Sequence, residues 1–172
     1  EVNGMTASTS LYVGEVVDGR CVPLEGMPTW SDAGASLPVG SVVKLYVLAA
    51  VVEAVAAGAL MWEDELTLTA DVRSLPSGRL HEEPDGTVVT VREAAASMIA
   101  ISDNTATDLL VDAVGRDAVE RAFVDLGHAD PEVNRPFLTT RDLFTLGWGG
   151  GQELRRRWRD ADEAERRVIL DE

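Results

Sequence analysis

Residues 37–62 read LPVGSVVKLYVLAAVVEAVAAGALMW and form the most apolar part of the chain. Their only polar groups are Ser41, Lys44, Glu53 and the hydroxyl of Tyr46. A run of this kind is expected to be a helix buried on nearly every side, around which other elements pack. Pro38 and Gly40 break the chain ahead of it, and Gly58 weakens it near its end. Ser41 is therefore expected at, or just inside, the helix N-terminus. Lys44 follows three residues later, on the same face one turn on.

Lys44 is the only lysine in the sequence. An ammonium at the start of an apolar helix loses hydration, which lowers its pKa. A partly neutral amine beside a hydroxyl can serve as its general base. Two plainer readings compete. A lysine at a helix start can merely snorkel, and S-x-x-K alone is a weak pattern. A membrane span needs about 20 apolar residues. Against a span, Glu53 interrupts the run, alanine makes up much of it, and no positive flank marks an inside end.

At 172 residues the chain is about one domain, long enough for a real core. A formal net charge of -15 argues against nucleic acid or an anionic membrane as partner. The same charge means that an anionic substrate needs a local cationic pocket. The single cysteine, Cys21, excludes an internal disulfide. No signal peptide is recognisable, and a chain starting at Glu1 fits a processed or trimmed product. A cytoplasmic location is expected, with export as the alternative. The preference for Arg over Lys fits a GC-rich genome.

In chain order, residues 9–17 read as a strand, Asp18-Gly19 as a hairpin turn and residues 20–25 as the returning strand. A Pro/Gly/Ser-containing loop, 27–40, leads to the central helix. Residues 66–75 hold at most a short strand, and 77–86 form an exposed loop. Thr90 and Glu93 make a capping-box pattern ahead of a helix over 91–101. That helix is expected to turn Ala94, Ala95, Met98, Ile99 and Ile101 inward. Ser102-Asp103-Asn104 follows, then helices over 105–114 and 117–126, stopped by Gly115 and Gly127. A polar loop spans 128–136. Thr139 or Thr140 caps a helix through Leu146, a glycine turn surrounds Trp148, and 153–170 is charged and helical. Three segments result: an N-terminal hairpin over 1–36, a helical part over 37–150 and a helical return over 151–172.

Ser102-Asp103-Asn104 alone is a good N-cap cluster. Its place changes the reading, because the junction of two helices packed on the central one can set a second hydroxyl and a carboxamide against Ser41 and Lys44. S-x-x-K followed by S-D-N resembles the signature pair of class A β-lactamases and the related penicillin-binding proteins. The likeness extends over residues 86–127, over Gly58-Ala59-Leu60, over Thr139-Thr140 and over the hairpin from Leu11 to Glu25. Within the family it is greatest to β-lactamase-like proteins encoded with clavulanic acid biosynthesis in actinomycetes.

The resemblance implies an α/β (α+β) serine β-lactamase-like fold, represented here by the all-α part and the first strands of the antiparallel sheet. It implies a serine acyl-transfer hydrolase acting on a β-lactam or ester, without cofactor or metal. Ser41 would be the nucleophile and Lys44 its base or proton relay. Ser102 would carry a proton to the leaving atom, Asn104 would position the substrate amide, and Asp103 would brace the turn. The Ser41 backbone N–H, at a helix N-terminus, would be half of an oxyanion hole. A non-catalytic binding protein of the same fold and a D-alanyl-D-alanine peptidase are the alternatives.

Two departures stand out. The K-T-G strand of the family is missing, since Lys44 is the only lysine. The chain is therefore expected to be a piece of a larger protein that carries that strand, with an exposed sheet edge. The E-x-x-L-N loop that supplies the deacylating glutamate is missing too, and Glu132 is the one glutamate in the corresponding loop. Slow turnover of β-lactams follows. His81 and His128 are expected to be solvated, with no paired spacing for zinc. Trp30, Trp62, Trp148 and Trp158 are expected to be packing residues. Arg155, Arg156, Arg157 and Arg159 are expected on a solvated helix face balanced by acids.

Overall fold

The computed structural model describes residues 12–26, 38–75 and 77–172. The chain divides into two compact units, Glu1–Val39 and Gly40–Glu172. In the first, β1 (Gly14–Val17) pairs antiparallel with β2 (Arg20–Pro23), Val17 opposite Arg20. Asp18 and Gly19 both have positive φ, 50° and 75°, the backbone that a two-residue turn between twisted strands requires. The strands are shorter than expected; residues 9–11 of the first lie outside the described residues, as does Trp30.

The second unit is helical. A 3₁₀ turn, Gly40–Val43, runs straight into α1 (Lys44–Ala56). Around α1 pack α2 (Val91–Ala100), α3 (Asn104–Val114) and α4 (Arg116–Asp125). Val47, Ala50 and Val51 of α1 meet Ala94, Ala95 and Met98 of α2, Leu110 and Val111 of α3, and Val119, Ala122 and Phe123 of α4 in one core. The i, i+3, i+4 spacing puts each set on one face of its helix. Tyr46 adds an aromatic stack on Phe123, with centroids 4.0 Å apart.

Burial of α1 on nearly every side is corrected: Leu45 is 54% and Val52 47% exposed. Among the described residues, the bundle contacts α1 on one broad face. Ile99 and Ile101 are exposed as well, because the core face of α2 is set by Val91, Ala94, Ala95 and Met98. Trp148 stands out into solvent, 76% exposed, against Phe144 alone among the rings. It sits on a π-helical turn, Thr145–Gly149, where a glycine turn was expected. Trp62 and Trp158 are half-buried beneath the guanidinium groups of Arg92 and Arg166.

Two short strands, β3 (Glu65–Thr67) and β4 (Val88–Thr90), pair antiparallel beside the bundle. Thr90 then caps α2 in a reciprocal box with Glu93. After α4 come a 3₁₀ turn (Pro131–Asn134), α5 (Thr140–Phe144), α6 (Gly151–Asp160) and α7 (Glu163–Leu170). The last two divide the helical return at Asp162, whose side chain caps α7. His128 is half-buried, edge-on to Tyr46 and Phe123, rather than solvated.

Asp108 of α3 is buried and ties α5 to the bundle. Its carboxylate accepts from the Thr140 and Arg141 backbone N–H groups, each at 2.8 Å, and from Thr140 Oγ1 at 2.9 Å. It thus caps α5 from a neighbouring helix. Burial pushes its pKa up from 3.8 to about 6, against the lowering effect of those donors. Asp108→Ala should lower stability by about 2–4 kcal/mol in urea denaturation, since three donors lose their acceptor. Between pH 4 and 6 the folded chain keeps a proton on Asp108 that the unfolded chain has released. The Asp108 contribution to stability therefore falls as pH rises through that window. The difference in unfolding free energy between wild type and Asp108→Asn should fall with it.

Candidate active site

The site grows from two chain segments that meet at the start of α1. One is the 3₁₀ turn that leaves Ser41 exposed and places Lys44 first in the helix, 3% exposed. The other is the Ser102–Asn104 turn between α2 and α3. Lys44 Nζ donates to the Ser102 carbonyl at 2.6 Å, to Ser102 Oγ at 3.0 Å and to Asn104 Oδ1 at 2.7 Å. An ammonium has three donors, and all three are met. Burial pushes the Lys44 ammonium below the ordinary lysine value of 10.5, with Asp103 and Asp108 pulling partly the other way.

Ser41 joins this cluster through Ser102. The two hydroxyl oxygens are 2.9 Å apart, while no direct bond links Ser41 Oγ to Lys44 Nζ among the described residues. With Lys44 charged, the bonds run from Lys44 to Ser102 to Ser41. With Lys44 neutral, its lone pair accepts, both hydroxyls turn, and Ser41 becomes the donor.

Ser102 achieves this reach in left-handed backbone, φ 57°. That conformation is rare and costly for a residue with a side chain, and persists only where its surroundings impose it. The restraints are visible. Asp103, fully buried, accepts from Arg79 N at 2.6 Å and Leu80 N at 3.0 Å through Oδ2, and from Ala106 N at 2.9 Å through Oδ1. One carboxylate therefore caps α3 and staples the 79–80 segment to it. Its bracing of the turn agrees with the expectation from sequence.

Asn104 joins the cluster through its carboxamide. Its Oδ1 holds Lys44, and its Nδ2 donates to the Leu75 carbonyl at 3.0 Å. Ser77 adds a hydroxyl bond to the Ser102 carbonyl at 2.6 Å. Ser77 and the Leu75 carbonyl carried no signal in the sequence, since one lies in a polar loop and the other is backbone. Glu132 is exposed and pairs with Arg135 of its own turn at 3.2 Å. His81, expected in solvent, is half-buried, with Nδ1 buried and unpartnered among the described residues. Two clefts of about 500 Å³ lie elsewhere on the helical unit, and Ser41 lines neither of them.

This architecture, a helical bundle with Ser41, Lys44 and Ser102 at one helix start, is a partial β-lactamase-like fold. Residues 31–164 match the model of the beta-lactamase enzyme family, and the chain belongs to that family. No curated protein matches it. Among solved structures, a beta-lactamase from Sphaerobacter thermophilus DSM 20745 is 39% identical, at TM-score 0.52, over 55% of this chain and 36% of that one. The structure of PBP-A is 24% identical, at TM-score 0.55, over 77% of this chain and 52% of that one. A W229D mutant of the class A beta-lactamase of the last common ancestor of Gram-negative bacteria is 24% identical, at TM-score 0.51, over 89% of this chain and 59% of that one. At that identity the last two speak to fold alone. The chain spans between 36% and 59% of the length of these structures.

Gly78 provides a test of the turn. At φ 102°, a Cβ there would sit 2.1 Å from Asp103 Cγ, whereas at Gly86, φ 89°, it would meet nothing. Both positions charge alanine the same backbone strain, of order 1–3 kcal/mol. Only Gly78→Ala must also displace Asp103. Thermal unfolding should show Gly78→Ala destabilised well beyond Gly86→Ala; equal losses would mean that Asp103 can move freely.

Proposed function

We propose that the protein is a serine acyl-transfer hydrolase that opens a β-lactam or an activated ester through an acyl-enzyme on Ser41. The observation that supports this most is the unbroken run from Ser41 Oγ to Ser102 Oγ, 2.9 Å, and on to Lys44 Nζ, 3.0 Å. Neutral Lys44 accepts the Ser102 proton as Ser102 accepts that of Ser41. Ser41 Oγ then bonds to the carbonyl carbon. When the lactam C–N bond breaks, the proton returns from Lys44 through Ser102 to the departing nitrogen. The Ser41 backbone N–H, in the 3₁₀ turn ahead of α1, would supply half of the oxyanion hole.

Asn104 has two roles in this reading. Its Oδ1 orients the Lys44 amine, one Nδ2–H is held by the Leu75 carbonyl, and the second Nδ2–H is left to position a substrate amide. A place in clavulanic acid biosynthesis rests on sequence resemblance alone. The strand bearing K-[ST]-G remains the proposed partner segment of the site.

Treatment of the intact protein with a penicillin and mapping by mass spectrometry should place the adduct on Ser41. Ser41→Ala should abolish it. Lys44→Arg should acylate almost as poorly as Lys44→Ala, because a guanidinium does not release its proton near neutral pH. An unchanged adduct in Ser41→Ala overturns the assignment. An acylation rate kept in Lys44→Arg makes Lys44 a structural cation. The pH profile of acylation should rise with an apparent pKa below 10.5, the direction in which burial moves Lys44.

Turnover should lag behind acylation. Glu132 is held by Arg135 at the surface, and a deacylating water without a general base forgoes about 10²- to 10⁴-fold. Stopped-flow kinetics with a chromogenic cephalosporin should show a burst and a weak steady state. Rapid turnover without a burst would reveal a base elsewhere.

A further inference from the structure

The Ser102 carbonyl has two lone pairs and two donors, Lys44 Nζ and Ser77 Oγ, both at 2.6 Å. Ser77 also accepts the Asn104 N–H on its own carbonyl at 3.0 Å. It therefore grips the strained residue from one side and the Lys44-binding residue from the other. We infer that Ser77 is a positioning residue for the Ser41–Ser102–Lys44 relay, its hydroxyl sharing the Ser102 carbonyl with the Lys44 amine and fixing the left-handed turn that aims Ser102 Oγ at Ser41.

Two consequences follow from the chemistry. The Ser77 hydroxyl points the positive end of its dipole at the oxygen that Lys44 also uses. Removing it leaves that carbonyl a stronger acceptor for the ammonium, which favours the charged amine and lowers the neutral fraction that can accept a proton at neutral pH. The turn at Ser102 also loses a bond that offsets its backbone strain. The charged groups acting on Lys44, Asp103 and Asp108, are held by donors other than Ser77 and stay in place.

The inference rests on the proposed relay for its functional meaning, but its test needs no substrate. Lys44 is the only lysine of residues 1–172, and with isotopically labelled lysine its side-chain resonance in the intact protein is assigned by its loss in Lys44→Arg. In Ser77→Ala the Lys44 titration midpoint should move upward. In Ser77→Thr, which keeps the hydroxyl, it should stay at the wild-type value. Acylation at neutral pH should fall roughly three- to tenfold in Ser77→Ala, the worth of one such bond, and recover at higher pH. An unchanged midpoint in Ser77→Ala overturns the inference. So does a Ser77→Thr variant that shifts as far as Ser77→Ala, since that would mark bulk and fold, not the hydroxyl, as the cause. A midpoint shift in a protein that no penicillin acylates would uphold the positioning role while refuting the hydrolase reading.

Discussion

The buried ammonium of Lys44 and its three acceptors are the constraint on which the rest depends. An isolated charge in the apolar surroundings of α1 would cost several kcal/mol. The chain meets that cost with a carbonyl, a hydroxyl and a carboxamide, all from the Ser102–Asn104 turn. No carboxylate bonds to Nζ directly among the described residues, so the amine is stabilised by dipoles and remains able to lose its proton. A direct Asp or Glu partner would have held it charged.

That choice fixes much of the neighbouring structure. The three acceptors come from a turn in which Ser102 takes left-handed backbone, φ 57°. Holding Ser102 there requires Asp103 to staple the 79–80 segment, and Asp103 in turn requires a residue without Cβ at position 78. Asp108, one turn further along α3, capping α5, anchors the same helix at its other side. The relay is thus seated on rigid elements, with its strain confined to one residue.

That Ser41, Lys44, Ser102 and Asn104 belong together at the candidate site was legible through the paired S-x-x-K and S-D-N motifs and the family resemblance they carry, neither motif being specific alone. Helices α2, α3 and α4 were legible from caps and apolar periodicity, to within a residue or two. What escaped follows from physics that single positions do not encode. Ile99 and Ile101 fit the apolar pattern of α2, yet tertiary packing left both exposed. Burial of α1 was overread from its composition, since apolar residues such as Leu45 and Val52 lie away from α2, α3 and α4 among the described residues. Gly78, Ser77 and the Leu75 carbonyl act through contacts that appear only once Leu75 and residues 77–80 lie against the turn. The engagement of Asn104 by Lys44, and the route from Ser41 through Ser102, are likewise distances, not motifs.

The route through Ser102 is the central claim, and a double-mutant cycle on the acylation rate constant tests it most directly. Ser102→Ala and Lys44→Met each break the same run of bonds at a different link. If the relay acts as a unit, each single variant should lose nearly the full rate, and the double variant should be little worse than either. Losses that add in full, or a Ser102→Ala variant that acylates at the wild-type rate, would show that Lys44 serves Ser41 by another path.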